Sequence, residues 1–294
     1  MKFRPAFLFL CLAFTYHTTS AQYFMTAPKL EKKVSQIIEW MQLDGEVIKA
    51  NTSYFNKAGK LTGYYNKDDK KGEKIIFEYD DQGRVVKKTI GTDEASAIKQ
   101  FEYEKNKVVW EEHFRGKVFR GIEFKNEKGQ LVEKKTYLKG GEMGEKFILR
   151  ERYIFSYNAQ DSLKGIKHYA YSLDGSRKGK SYETKKTLFY YESKTGKRSR
   201  ISYFDVSEEE VKNTQYEYHK DGRLKKVTLS STTPYENNRI IEYHYNNDGT
   251  LWQEIEKTAY KRFVKIYKKG RLIRQRTYIG EELFTIVDFQ YVFY

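Results

Sequence analysis

The chain has 294 residues, of which 55 are Lys or Arg and 40 are Asp or Glu, so its formal net charge is +15 at pH 7. It contains a single cysteine, which excludes a fold held by disulfides, and its length is ample for a core that needs none. The positive surplus favours anionic partners: nucleic acid, anionic glycan or lipid headgroups.

The N-terminal segment has the features of a secretory signal peptide. Lys2 and Arg4 precede the apolar run PAFLFLCLAF, and TTSA places the small residue Ala21 just before Gln22. The apolar run is shorter than the ~20 residues that a membrane span requires. We therefore predict cleavage between Ala21 and Gln22 and export to the periplasm, the outer-membrane surface or the medium. No transmembrane span is expected, and export argues against a nucleic-acid partner.

The stretch PKLEKKVSQIIEWMQLDG, within residues 22–48, has a helical pattern. Its apolar residues at helical spacing are Leu30, Val34, Ile37, Ile38 and Met41. Pro28 lies near the start of this pattern and Gly45 just past its end. The pattern predicts one short amphipathic helix that covers an edge of the first sheet.

From residue 49 onward the chain repeats one phrase, such as FEYDDQGRVVKK. Two aromatics two residues apart point to one face of a strand, and polar residues then lead to a glycine and an aliphatic residue. The second aromatics are Phe55, Tyr79, Tyr103, Phe124, Tyr157, Tyr191, Tyr218, Tyr245 and Tyr267, with a further copy at Tyr171. The glycine suits the left-handed position of a hairpin turn, and Asn106 and Asp161 replace it in two copies.

One such hairpin is unstable alone, so neighbouring copies must pack together. We therefore predict an all-β fold of antiparallel β-hairpin repeats over residues 49–294. These repeats would form a long curved or partly closed sheet with an aromatic core face. An outer-membrane barrel is not expected, because the face opposite the aromatics carries Lys and Glu almost throughout, where such barrels need an apolar band.

The phrases FEYDDQGRVVKK, YEYHKDGRLKKV and YHYNNDGTLWQE resemble the YD-repeat units of the Rhs family. YFNKAGKLTGYYNK is similar to MORN-variant repeats. The resemblance covers residues 49–294, although only Tyr79 and Asp80 keep the Tyr–Asp pair. Large Rhs proteins wind such hairpins into a shell around a toxic C-terminal domain. For this chain the resemblance implies the hairpin repeat, and not encapsulation or toxicity.

Motifs for catalysis, metals and cofactors are not found. The histidines do not pair at metal-ligand spacing, and no G-x-S-x-G stretch exists. In DGSRKGKS, residues 174–181, the two glycines are one residue too close for a phosphate-binding loop. We therefore expect a protein that is not an enzyme, with no catalytic residue, no metal and no cofactor.

Surface recognition remains as the function. Exposed aromatics can stack on sugar rings while cations hold acidic groups, and strand alternation places Trp252, Tyr190 and His244 opposite the aromatic face. The binding candidates are Trp252, Tyr190, His244, Arg223, Lys225 and Arg271. We predict an envelope binding or scaffold protein that presents a basic face to anionic glycan or to an envelope protein. The alternative is an accessory component of an envelope or secretion assembly, engaged through sheet edges and the N-terminal helix.

Overall fold

The computed structural model describes residues 34–43, 45–66, 74–91, 96–139, 146–171, 181–232 and 238–293. The predicted signal peptide and its cleavage site lie outside these ranges. The described residues form twenty strands: β1 Val34–Leu43, β2 Glu46–Phe55, β3 Leu61–Asn66, β4 Lys74–Tyr79, β5 Val85–Gly91, β6 Ser96–Glu104, β7 Lys107–Phe114, β8 Lys117–Lys125, β9 Leu131–Lys139, β10 Ile148–Tyr157, β11 Leu163–Tyr171, β12 Ser181–Tyr191, β13 Arg198–Phe204, β14 Glu210–Tyr218, β15 Leu224–Ser231, β16 Arg239–Tyr245, β17 Leu251–Lys257, β18 Lys261–Lys268, β19 Arg271–Ile279 and β20 Glu282–Phe293.

These strands form a closed antiparallel barrel. Each strand pairs with the strands before and after it along the chain, and β20 pairs with β1, where Ile37 lies opposite Tyr291. The predicted partly closed sheet is therefore wrong, although the all-β hairpin architecture is present. Closure removes every free sheet edge, which is the part of a sheet most prone to unwanted pairing.

The predicted N-terminal helix is also wrong, because Val34–Leu43 is the strand that closes the ring. A register shift between Val34 and Gln36 lets Val34 and Ile37, three residues apart, both be buried. Such a bulge turns the two-residue period of a strand into a spacing that mimics a helix. In the described part of the chain, no helix is long and apolar enough to cross a membrane.

The wall has two chemically different faces, and β6 displays them most clearly. Along β6, half-buried or buried side chains alternate with exposed ones: Ala97, Lys99, Phe101 and Tyr103 against Ile98, Gln100 and Glu102. Cross-strand pairing carries this division around the ring, and most buried strand residues belong to the face with the aromatic pairs. Side chains on the concave side of a barrel crowd together, so the aromatic face lines the interior.

The interior is not a filled core. Among the described residues, only Ser202 is less than 2% exposed, and substantial backbone contacts join only strands that neighbour each other around the ring. Barrels of sixteen or more strands are too wide for side chains to fill. The described strands therefore surround a space that their own side chains do not fill.

The two ends of the barrel differ in their connections. At one end, nine turns of two to six residues join the strands, beginning with 56–60 and ending with 269–270. At the other end the ten connections span two to nine residues. We call the first the short-turn end and the second the open end.

The glycine prediction holds at most short turns. Glycines with φ between 66° and 88° occupy them at Gly59, Gly83, Gly129, Gly196, Gly222, Gly249 and Gly270. Asp161 takes the same left-handed conformation at φ 61°, as predicted, whereas Asn106 is not among the residues with positive φ. Asn106 instead belongs to a two-residue connection between β6 and β7. Phe124 is a further exception: its register with Glu133 places it on the outer face.

Candidate functional site

Tyrosine hydroxyls join neighbouring hairpins at the short-turn end. In six copies the second aromatic of the phrase, and in β20 the residue Tyr291, donates a hydrogen bond of 2.6–2.8 Å to a carbonyl at the start of the preceding return strand. The donor and acceptor pairs are Tyr79 and Leu61, Tyr103 and Val85, Tyr157 and Leu131, Tyr191 and Leu163, Tyr218 and Arg198, Tyr245 and Leu224, and Tyr291 and Leu272. Each bond crosses from one hairpin to the previous one.

A basic side chain completes five of these seven joints. The residue after the turn glycine lies over the tyrosine ring of the next hairpin, 4.4–5.7 Å from its centroid. These pairs are Lys60 and Tyr79, Arg84 and Tyr103, Lys197 and Tyr218, Arg223 and Tyr245, and Arg271 and Tyr291. Lys60 Nζ also donates to the Gly83 carbonyl at 2.6 Å. We call each combination of tyrosine bond and stacked cation a rim latch.

Two predicted binding cations therefore belong to rim latches. Arg223 stacks on Tyr245 and forms an ion pair with Asp221 at 2.5 Å, and Arg271 lies 4.8 Å from the ring centroid of Phe293 as well as over Tyr291. Hydrogen bonds from the Arg223 side chain lower the pKa of Asp221 to about 2. Both guanidinium groups thus have structural contacts that tie one hairpin to the next.

The other predicted residues lie on the outer wall and do not form one site. Trp252 is 40% exposed, and its ring lies 6.1 Å from that of His244. Tyr190 is 43% exposed on β12, five strands away from Trp252 on β17. Lys225 is exposed on β15. The structure brings Trp252 and His244 together and leaves the remaining candidates apart.

Sequence reasoning missed a cluster of cations on the outer wall over β9–β13. Lys167 on β11 lies directly opposite Lys186 on β12 in the strand register. Tyr169, two residues from Lys167, lies opposite Arg152 of β10, and the exposed Tyr190 lies opposite Arg200 of β13. We define the outer basic strip as Lys135, Arg152, Lys167, Lys186 and Arg200. Cross-strand register produces it, and the register was not visible in the sequence.

Acidic side chains contact several cations of the outer basic strip, and Arg200 forms an ion pair with Glu210 at 2.5 Å. Glu133 is shared between Lys135 at 3.1 Å and Arg152 at 2.6 Å. Burial raises the pKa of Glu133, but hydrogen bonds from Lys135 and Arg152 outweigh it and hold that pKa below its ordinary value. One carboxylate therefore faces two cations, and a like-charge pair such as Lys167 and Lys186 is unfavourable in itself.

Elsewhere the outer wall carries cross-strand ion pairs. Those in its strands include Lys87 with Glu78, Arg120 with Glu111, Lys257 with Glu242, and Arg274 with Asp288. A lipid-facing barrel wall instead needs a continuous apolar band. Charge in the middle of the strands suits a wall that faces water.

Metal-ligating and buried acidic side chains of the described residues bear on what chemistry the wall could support. No three His, Cys, Asp or Glu side chains there come together in a way that could hold a metal ion. The buried Glu39 is hydrogen-bonded by Asn51 at 2.8 Å, and desolvation raises the pKa of its carboxyl. Its pairing on the closing strand fits a role in the wall.

Comparison with known proteins yields no family. No protein-family model matches the chain, and no curated protein matches it significantly. Among solved structures, a porin-like protein from Bacteroides uniformis is 15% identical, with 88% of this chain and 98% of that chain covered and a TM-score of 0.38. A porin-like protein from Bacteroides vulgatus is 10% identical, with 89% and 99% covered and a TM-score of 0.40.

A toxin assembly shows a similar level of likeness. The Photorhabdus luminescens Tc holotoxin pore is 10% identical, with 86% of this chain but 18% of that chain covered and a TM-score of 0.31. At such TM-scores the likeness assigns neither a family nor a function. The resemblance to YD and MORN-variant repeats stays a prediction.

Proposed function

We propose that this protein is an exported, non-catalytic barrel that binds anionic glycan on the outer basic strip. The observation that carries the proposal is the direct pairing of Lys167 and Lys186 in adjacent strands. Two ammonium groups held side by side repel each other, and an anionic group between them would relieve that repulsion. An anionic group that bridges Lys167 and Lys186 would therefore be stabilised at this place on the wall.

Aromatic side chains make a sugar polymer the best-fitting anion. Tyr169 lies between Arg152 and the strand that carries Lys186, and Tyr190 lies opposite Arg200. Flat aromatic faces stack on sugar rings, while Arg and Lys hold carboxylate groups by charge-assisted hydrogen bonds. The exposed fraction of Tyr190, 43%, leaves its ring accessible. A polyuronate matches this alternation of ring and charge.

The test is binding of the chain from Gln22 onward to polygalacturonate, with neutral dextran as the uncharged control. We expect binding to polygalacturonate at about 50 mM salt and a loss of at least about tenfold in affinity at about 500 mM, because salt screens exposed charges. The variant Lys167→Gln/Lys186→Gln should bind about tenfold more weakly or worse.

The matched control is Lys87→Gln/Lys226→Gln, which removes two outer-wall lysines that pair with Glu78 and Glu217. This control should keep its affinity for polygalacturonate. Equal weakening by both double variants would mean that net charge alone attracts the polymer, and would contradict a site at the strip. Absence of binding at low salt would contradict the proposal altogether.

A second candidate, a component of an envelope assembly, is favoured by a different observation. Large apolar side chains are exposed in a connection and in the adjoining strand ends at the open end: Val47, Tyr260, Ile279, Leu283 and Phe284. The predicted engagement through sheet edges and an N-terminal helix is wrong, because the strands form a closed ring and the predicted helix is the strand β1. Contacts with an envelope protein at this apolar cluster should survive about 500 mM salt, since apolar burial is not screened. Loss of such binding in Leu283→Ser/Phe284→Ser, but not in Lys167→Gln/Lys186→Gln, would support this candidate.

A further inference from the structure

Three lysines converge on the inner wall between β5 and β9. Lys88 lies directly opposite Lys99 in the strand register, and directly opposite side chains in a sheet have Cβ atoms about 5 Å apart. Lys134 lies on the same face of β9. The ammonium group of Lys99 lies 3.3 Å from the ring centroid of Trp110, and that of Lys134 lies 5.9 Å from it.

The floor beneath these lysines is built from aromatic rings. Trp110 is 8% exposed, and its indole covers Gly121, where an added Cβ would lie 2.0 Å from the ring. Lys88 and Lys99 also lie over Phe77 and Phe101, 5.6 and 5.7 Å from the ring centroids. Because Gly121 has no side chain, the indole of Trp110 can pack against the wall at this position.

Carboxylates neutralise only part of this positive charge. Lys99 pairs with Glu112 at 3.5 Å, and Lys134 pairs with Glu123 at 3.4 Å. Three lysines therefore face two glutamates. Burial lowers the pKa of both Lys88 and Lys99, Glu112 opposes this shift at both, and the ammonium groups of Lys134 and Lys88 add to it at Lys99. The three ammonium groups therefore repel one another in a partly buried site.

We infer that this inner cluster is a binding site for a phosphate group, held by the ammonium groups of Lys88, Lys99 and Lys134 above the Trp110 floor. A phosphate carries more negative charge than one carboxylate and accepts several charge-assisted hydrogen bonds, so it matches three convergent ammonium groups. The side chain of Lys99 is 22% exposed, which leaves it reachable from the space that the strands surround. The cluster lies on the opposite face of the wall from the outer basic strip, so the two proposals stand or fall separately.

Tryptophan fluorescence gives a local test. In the double variant Trp40→Phe/Trp252→Phe, Trp110 is the remaining tryptophan. We expect pyrophosphate to change its emission in a saturable way. Lys88→Met in the same background should weaken pyrophosphate binding by about tenfold or more, because it removes one cation and leaves both lysine–glutamate pairs in place.

The matched control is Lys87→Met, which changes the adjacent lysine on the outer face. Its pyrophosphate affinity should equal that of the double variant alone. A sugar phosphate that binds more tightly than pyrophosphate would assign the site to phosphorylated sugars, and the reverse would assign it to the free anion. No saturable response, or equal weakening by Lys87→Met, would overturn the inference.

Stability provides a second readout that does not depend on fluorescence. Because Lys88 repels Lys99, Lys88→Met should unfold at the same temperature as the parent or a higher one when no anion is present. Pyrophosphate should raise the unfolding temperature of the parent and not that of Lys88→Met, since a ligand stabilises the state that binds it. A shift of equal size in both proteins would also overturn the inference.

Discussion

The two ends of the barrel are built from the same strands in different ways. At the short-turn end, a left-handed glycine, a stacked cation and a tyrosine bond recur from hairpin to hairpin. At the open end, the connections vary in length, and the exposed side chains include Tyr260 and Phe284. The comparison teaches that the repeated phrase encodes one rim and the lateral joints between hairpins, while the opposite rim is left free to vary. Four changes test it, from the largest expected effect to the smallest.

The seam, where β1 meets β20, should be the most sensitive place. Ile37 is 2% exposed and lies opposite Tyr291, the tyrosine of the last rim latch. We expect Ile37→Asp to lower the free energy of unfolding by about 3–5 kcal/mol, because it buries an unpaired charge in the closing strand. Urea unfolding measures the loss.

The adjacent substitution Ile38→Asp is the control for the seam, because Ile38 points to the outer face opposite Gln290. It should cost less than about 1 kcal/mol. A helix would place both isoleucines on one stripe, so equal losses in the two variants would contradict the strand.

Turn glycines give a matched pair across the two ends. Gly83 at the short-turn end and Gly116 at the open end both have φ 72°. An added Cβ at Gly116 meets nothing within 4 Å, whereas at Gly83 it would lie 1.4 Å from Lys60 Nζ. We expect Gly116→Ala to cost about 1 kcal/mol through backbone strain alone, and Gly83→Ala about 2 kcal/mol, because it also displaces Lys60 from its latch. Equal costs by thermal unfolding would mean that the latch adds nothing.

A single hydroxyl tests the tyrosine bond. Tyr245→Phe removes the donor to the Leu224 carbonyl, 2.8 Å away, and should lower the free energy of unfolding by about 1 kcal/mol. Tyr260→Phe at the open end changes a residue that is 72% exposed, and its effect should be within about 0.5 kcal/mol of zero. If Tyr260→Phe matched Tyr245→Phe in urea unfolding, the distinction between the two ends would fail.

The smallest effect should be a pH dependence on the inner wall. Burial lowers the pKa of His168, whose ring stacks on Tyr153 at 4.4 Å. Glu151 opposes this shift and Lys185 adds to it. A lowered folded-state pKa means that folding disfavours protonation, so the stabilising contribution of neutral His168 is present above pH about 6.5 and declines below it.

We therefore expect the parent to lose more stability between pH 7 and 5 than His168→Gln does, by less than about 1 kcal/mol. Thermal unfolding of both proteins at the two pH values measures the difference. A parent that loses the same as the variant, or less, would contradict the lowered pKa.

Local features were predictable from the sequence. The spacing of Phe101 and Tyr103, which are two residues apart and precede polar turn residues, correctly predicted a hairpin. Such a prediction succeeds because strand alternation and left-handed turn residues depend on only a few adjacent residues. Asp161 in place of glycine was predicted for the same reason and has φ 61°.

Long-range features were not predictable. Closure depends on β1 reaching β20, where Trp40 and Gln290 are 250 residues apart in the chain, and the bulge next to Val34 disguised β1 as a helix. Arg223 was taken for a surface cation because its partner, Tyr245, belongs to the next hairpin. Lys167 and Lys186 face each other only once the register of β11 and β12 is fixed. Register is a property of strand pairs, and it cannot be seen in one strand at a time.

The rim latch has a direction, and this has a consequence for how such a chain can change in size. Each stacked cation reaches forward to the next hairpin, each tyrosine bond reaches back to the previous one, and β20 with β1 completes the ring as a copy split between the two termini. A duplicated hairpin would carry its own stacked cation, which contacts the next hairpin, and its own tyrosine hydrogen bond to the previous one. It would lengthen the circumference by two strand spacings, about 10 Å, and disturb no existing joint. The width of the barrel is therefore set by the number of hairpins, and it can change by one whole hairpin at a time.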